Sequence, residues 1–245
     1  GLKRGEYVTH AAYLKFYLPD LLPDCDKILY IDSDVMIQKD LRDVFETDIE
    51  DYYAGVVEDV PLIHNALCIA HYFNSGVLLL NLRLMREHDA STALFNICRS
   101  AKNLVYIDQD PLNIFFKRKV RLLPVIYNFE YNVFFHEKNK FTLDTINHCF
   151  GTHYGSLEDI KKDAVIIHFA AHYKPWLYFD TACVREWDEY FQKSPFKHHP
   201  LKRKSAMFIK FIFTHNFLTL LYFFIQYWRR NGLKFAVHYL RSSLS

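Results

Sequence analysis

Two carboxylates set two residues apart close the run Ile28-Leu29-Tyr30-Ile31-Asp32-Ser33-Asp34-Val35. Side chains at i and i+2 of an extended segment point the same way, so both acids can face one cation. Hard oxygen ligands of this kind suit Mg²⁺ or Mn²⁺, and such an ion can neutralise a diphosphate leaving group. A D-x-D pair alone also describes a solvated turn, so other residues must carry part of the case. His168, in His168-Phe-Ala-Ala-His172-Tyr173-Lys174-Pro175-Trp176, ends an apolar run and can supply a third ligand. Lys174 can bind diphosphate. Tyr72-Phe73-Asn74-Ser75-Gly76-Val77 sets an amide able to hydrogen-bond a sugar hydroxyl beside a glycine that lets backbone approach a ligand. Tyr106-Ile107-Asp108-Gln109-Asp110-Pro111-Leu112-Asn113 gathers acids and amides at a helix start. Capping that helix needs only one of them; the surplus points to chemistry.

The elements that must position these residues read as follows. Lys27–Ile31, Tyr53–Val57, Gly76–Leu80, Val120–Leu123 and Ala164–His168 are apolar runs of strand length, rich in β-branched residues. A helix opens at Thr9 and is expected to stop at Pro19. Others are expected near Leu41–Phe45, behind an N-cap at Asp89, from Pro111 to about Phe116, and over Arg185–Gln192. Strands alternating with helices predict an α/β fold with a mostly parallel sheet. In such sheets chemistry gathers at the carboxyl ends of strands, where Asp32-Ser33-Asp34, Asn81 and His168 fall.

The chain has 245 residues, 51% of them hydrophobic and 24% charged, enough for one large core. Its five cysteines form no C-x-x-C pair, which argues against a zinc site and for a reducing compartment. The net charge of +2 hides an asymmetry. Ten basic residues and no acidic one follow Glu189, so that segment carries +10 and the rest of the chain −8. The basic segment is also aromatic, with an apolar stretch too short and too interrupted to span a bilayer. Aromatic and basic residues together suit the headgroup region of an anionic membrane; a helical hairpin packed on the body is the alternative. The expected division is a body over 1–190 and a membrane-associating region over 191–245.

In this order and spacing the four motifs resemble glycosyltransferase family 8, over about Thr9 to Trp176, and most of all the lipopolysaccharide core glucosyl- and galactosyltransferases. The resemblance implies a GT-A-type nucleotide-sugar-binding domain, a divalent cation, usually Mn²⁺ with Mg²⁺ as the alternative, and a UDP-sugar donor. It makes Asp32, Asp34 and His168 the metal ligands. Lys174 would meet the diphosphate, Asn74 and Asp59 the donor sugar, and Asp108 and Gln109 the surroundings of the anomeric carbon. Lys15 stands where the family often has an arginine, and Ala171 where it commonly has a glycine. The family also has a further stretch ahead of Gly1, so the N-terminal part of the domain is expected to be missing here.

The function so implied is retaining transfer of glucose or galactose from UDP-glucose or UDP-galactose to a lipid-linked lipopolysaccharide core oligosaccharide. The enzyme would lie in the cytoplasm, peripheral on the inner face of the bacterial inner membrane, with no nucleic-acid partner. Gln109 is a neutral amide and a poor nucleophile, so Asp108 and Gln109 are expected to position and stabilise charge. Two other readings stand beside this one. An inactive relative could serve as a membrane-surface binding module. A metal-dependent phosphohydrolase of the haloacid-dehalogenase type also places D-x-D after an apolar strand.

Overall fold

The computed structural model describes residues 10–60, 67–101, 104–136 and 142–205. The chain divides into two compact units: 1–129 with 139–168, and 130–138 with 169–245.

Among its described residues the first unit has six strands: β1 (Lys27–Ile31), β2 (Val35–Ile37), β3 (Ala54–Glu58), β4 (Phe73–Asn81), β5 (Val120–Leu122) and β6 (Ile166–His168). One sheet has the order β1-β4-β3-β5, and β2 pairs with β6 in a second. The expected strands all form. Their pairing corrects the expectation of a mostly parallel sheet, because β4 lies antiparallel between β1 and β3, and only β3–β5 is a parallel ladder. The strands joined through helices, β1, β3 and β5, do share one direction. The long β4 runs against them from the middle of the sheet, which makes both ladders that contain it antiparallel.

Alternation of side chains across the strands buries both faces of this sheet. On one face Leu78 and Leu80 of β4 join Ala54, Val56, Ile28 and Tyr30. Against that face pack a 3₁₀ segment (His10–Tyr17), α1 (Leu18–Leu21), α3 (Leu82–Glu87), α4 (Ala90–Ser100) and α5 (Gln109–Phe116). On the other face Val77 meets Val165 and Ile166, with Leu29 and Ile31 beside them. Val77 through Leu80 are at most 1% exposed, and burial of each contributes about 1.5–3 kcal/mol. The remaining helices of this unit are α2 (Arg42–Glu46), α7 (Leu143–Phe150) and α8 (Leu157–Asp163).

Pro19 does not stop the first helix. It sits in the first turn of α1, where its missing N–H costs nothing. Asp89 does precede α4, but in the left-handed region (φ 48°) and without a capping bond from its side chain.

Among the described residues of the second unit the α-helices are α6 (Tyr131–His136) and α9 (Val184–Lys193). Trp187 of α9 stacks on Phe191, and Trp176 lies 5.9 Å from Trp187 between ring centroids. Residues 203–205 are stitched back to this unit. Lys204 donates its N–H to the Leu177 carbonyl, Phe179 donates to the Lys204 carbonyl, and the Arg203 guanidinium pairs with Asp188. Among the described residues no helix is long and apolar enough to cross a membrane. The basic, aromatic stretch over 206–245 lies outside the described residues.

Candidate active site

β1 leaves the first sheet at Ile31, which pairs with Val77, and the Asp32 N–H donates to the Gly76 carbonyl at 2.7 Å. Three residues later β2 enters the second sheet, and Val35 pairs with His168. The D-x-D turn therefore spans two sheets, and the pairing of β2 with β6 sets His168 beside it. One ligand atom from each of Asp32, Asp34 and His168 lies within 4.8 Å of the others. The His168 Nε2 is 3.3 Å from the Asp34 Oδ1. His168 is 4% exposed, while the two carboxylates stay partly open to solvent.

Other residues hold these ligands in place. The Tyr30 hydroxyl donates to the Asp32 Oδ1 at 2.6 Å. Burial, then the Asp32 carboxylate, push the Tyr30 pKa well up, so the phenol stays a donor. The His168 Nδ1 lies 3.0 Å from the Asn128 Oδ1, and the Asn128 Nδ2 donates to the Asn74 Oδ1 at 3.0 Å. The β4 backbone approaches the cluster closely. A Cβ on Gly76 would lie 2.3 Å from the His168 Cε1 and 3.0 Å from the Asp32 Oδ2. Two carboxylates and an imidazole around a site kept open by a glycine form a donor set that fits a divalent cation.

Next to this cluster is a second, more buried one. Lys15, on the 3₁₀ segment, is 3% exposed. Its Nζ donates to the Asp108 Oδ2 at 2.7 Å and to the Ser75 carbonyl at 3.1 Å, and lies 3.7 Å from the Asp32 Oδ1. The Ser75 Oγ donates to the same Asp108 oxygen at 3.0 Å. The Ser75 N–H donates to the Gln109 Oε1 at 3.0 Å, and the Gln109 Nε2 donates to the Asp59 Oδ2 at 2.9 Å. Because a backbone N–H can only donate, the Gln109 amide has one orientation, with both ends engaged.

The surplus of polar groups at the start of α5 is thus divided. Asp108 stands at the N-cap position but makes no capping bond; its carboxylate goes to Lys15 and Ser75. Asp110 and Asn113 belong to the scaffold. Asp110 accepts from the Tyr72 hydroxyl and from the N–H groups of Val105 and Tyr106. Asn113 bonds both the N–H and the carbonyl of Phe73, as a neighbouring strand would.

Asp32, Asp34, His168, Asn74, Lys15, Asp59, Asp108 and Gln109 all lie in the first unit, linked by this geometry. Lys174 belongs to the second, where its ammonium donates to the Phe169 carbonyl and lies 5.9 Å from the Trp176 ring centroid. Asn81 is a correction. β4 runs against β1, so its carboxyl end lies opposite Lys27, at the far edge from Asp32. There Asn81 caps α3 instead, accepting from the Leu84 N–H at 2.9 Å. Tyr30, Ser75 and Asn128 were not singled out as site residues. Tyr30 sits in the run that leads into D-x-D and Ser75 within Phe73-Asn74-Ser75-Gly76, but Asn128 carries no local signal.

A mixed α/β sheet with a D-x-D turn at its edge defines the GT-A class of glycosyltransferase. The galactosyltransferase LgtC, solved with donor and acceptor sugar analogues, matches with a TM-score of 0.62 at 26% identity, over 79% of this chain and 69% of that one. Residues 2–180 match the model of glycosyl transferase family 8, and the chain belongs to that family. It is 29% identical over 190 residues to a lipopolysaccharide 1,2-glucosyltransferase of Escherichia coli, covering 73% of this chain and 53% of the relative. It is 27% identical over 185 residues to glycosyltransferase GlyF of Streptococcus pneumoniae serotype 4, covering 75% of this chain and 42% of the relative. The chain therefore spans about half the length of these curated relatives.

Proposed function

We propose that this chain forms the catalytic core of a retaining hexosyltransferase. It would move glucose or galactose from a UDP-sugar to a lipopolysaccharide core oligosaccharide. The convergence of Asp32, Asp34 and His168 carries the reading. Asp32, Asp34 and the His168 Nε2 would hold Mn²⁺ or Mg²⁺, which when bound neutralises charge on the departing diphosphate. Lys174 would add a cation to the same diphosphate.

The second cluster supports the rest. Retention through two inversions needs a free nucleophile under the anomeric carbon. Gln109 is neutral, and its oxygen already accepts from Ser75. That favours departure and attack on one face of the sugar, with the leaving phosphate taking the acceptor proton. Asp108, held by Lys15 and Ser75, would place negative charge beside the developing cation. Asp59 would face the sugar while fixing Gln109. The oxygen of Asn74 is engaged by the Gly76 N–H and by Asn128, so Asn74 would offer its N–H groups to an accepting sugar hydroxyl.

The named lipopolysaccharide glucosyltransferase relative and the basic, aromatic segment after residue 190 support a lipid-linked acceptor at an anionic membrane surface. On this reading the enzyme would lie in the cytoplasm, peripheral on the inner membrane. Deletion made after Ser205 spares the bonds of residues 203–205. The truncated protein should keep transfer to soluble acceptor and lose binding to anionic vesicles.

The test of the main reading is Mn²⁺-dependent UDP release from UDP-glucose and UDP-galactose, with truncated lipopolysaccharide as acceptor and Asp34→Ala as control. Release that needs metal, acceptor and Asp34 is expected, with one donor preferred. No release with either donor from the folded protein would refute the proposal.

A further inference from the structure

Four groups in a row determine how His168 presents itself, and the first has no choice of polarity. The Gly76 N–H can only donate, and it donates to the Asn74 side chain at 2.9 Å, so the Asn74 oxygen faces it. That same oxygen accepts from Asn128 at 3.0 Å, which orients the Asn128 amide with its nitrogen toward Asn74. The Asn128 oxygen then faces the His168 Nδ1 at 3.0 Å. Turning over either amide alone sets two acceptors or two donors face to face. Turning over both sets the Asn74 NH₂ against the Gly76 N–H. All four groups are at least half-buried, and Asn128 is only 3% exposed, so water is poorly placed to repair such a mismatch.

We infer that Asn128 is a positioning residue for the metal site. By accepting a hydrogen bond from the His168 Nδ1–H, it leaves the lone pair of the neutral ring on Nε2, for a cation shared with Asp32 and Asp34; without a cation the Asp34 Oδ1, 3.3 Å from Nε2, competes for the ring proton. Imidazole ligates a metal only through an unprotonated nitrogen. A hydrogen bond to the other nitrogen both selects the tautomer and fixes the plane of the ring. The relay also joins two jobs. The Asn74 oxygen that orients Asn128 belongs to the side chain read as meeting the donor sugar, so a change at Asn74 reaches the metal ligand through Asn128. The inference rests on the reading of Asp32, Asp34 and His168 as metal ligands, but its first prediction needs no metal.

The test uses the whole chain. Nitrogen-15 NMR of the imidazoles in metal-free Asp34→Ala protein, which lacks the carboxylate that competes at Nε2, reports at a pH where the ring is neutral which nitrogen carries the proton. The His168 signals are assigned by their loss in His168→Gln. Asp34→Ala with Asn128 intact should show Nδ1–H with a bare Nε2. Asn128→Leu should lose that preference and bind Mn²⁺ about 10- to 100-fold more weakly, read by titration calorimetry. Asn74→Asp keeps the oxygen that accepts from Gly76 and orients Asn128, so it should hold Mn²⁺ at least as tightly as the wild type, which a merely structural role would not predict. An Asp34→Ala ring protonated on Nε2 overturns the inference. So does a folded Asn128→Leu protein with unchanged Mn²⁺ affinity. Should Asn128→Leu fail to fold, the Asp34→Ala spectrum and Asn74→Asp still decide the matter. Nδ1–H in Asp34→Ala beside a wild type that binds no Mn²⁺ would sink the proposed function and leave the tautomer assignment standing.

Discussion

Asn74 and Asn81 lie on the same strand, seven residues apart, or about 23 Å by the rise of a β-strand. Both follow the same compositional rule, an amide at the end of an apolar run. Their bonds differ. Asn81 is 5% exposed and closes its bonds on main-chain groups: its oxygen accepts from Leu84, and its NH₂ donates to the carbonyls of Ile49 and Glu50. Asn74 is half-buried, and its oxygen links through Asn128 to a side chain of the metal cluster. An asparagine bonded only to backbone fixes where elements go. One bonded to another side chain, with donors left over, can serve a ligand. Residue type and local pattern do not distinguish the two; bonding partners do.

That contrast can be broken at several points. The largest effect should come from the cluster itself. Asp34→Asn removes one anionic ligand and should cut Mn²⁺-dependent UDP release by at least about 100-fold, with the melting temperature little changed. A variant with full activity would end the assignment of the cluster. Gly76→Ala drives a Cβ into the His168 ring. It should weaken Mn²⁺ binding at least about 10-fold and cost about 1–3 kcal/mol by overpacking, read by calorimetry and urea melts. Normal metal affinity there would mean that the β4 backbone does not shape the site.

The paired substitution sharpens the comparison directly. Asn81→Ala loses a cap and leaves two carbonyls with one partner fewer, so it should cost about 2 kcal/mol of stability and leave Mn²⁺ affinity unchanged. Asn74→Ala should do the reverse, lowering Mn²⁺ affinity with a smaller loss of stability. If both variants behave alike in both measurements, the distinction between the ends of β4 is empty. The smallest effect is expected at Ala171, which adopts φ 58°. Left-handed backbone disfavours a Cβ, so Ala171→Gly should stabilise the protein by about 0.5–1 kcal/mol. Destabilisation would show that the methyl group packs usefully.

Much of the scaffold was legible in advance. Lys27–Ile31 forms the strand its β-branched, apolar run predicts, and Arg42–Glu46, Gln109–Phe116 and Val184–Lys193 are helices where the pattern placed them. The short strand β2 carried no such signal, because three residues after a turn have no readable period. Helix α3 was missed because it starts on the last residues of an apolar run, where strand and helix compositions overlap.

By itself the sequence determined which chemistries were available. It held D-x-D behind an apolar run, a histidine behind another, and a D-Q pair at a helix start, in an order that resembles one family. Only the tertiary structure decided which of those groups meet. The reversed direction of β4 moved Asn74 to the site and Asn81 away from it, since a strand carries its two ends to opposite edges of a sheet. The structure also brought in Asn128, 40 residues from His168 and 54 from Asn74. It separated Asp108 and Gln109 from Asp110 and Asn113 within six consecutive positions. Hydrogen-bond polarity is a property of partners, and these partners are distant along the chain, so no local window of residues contains it.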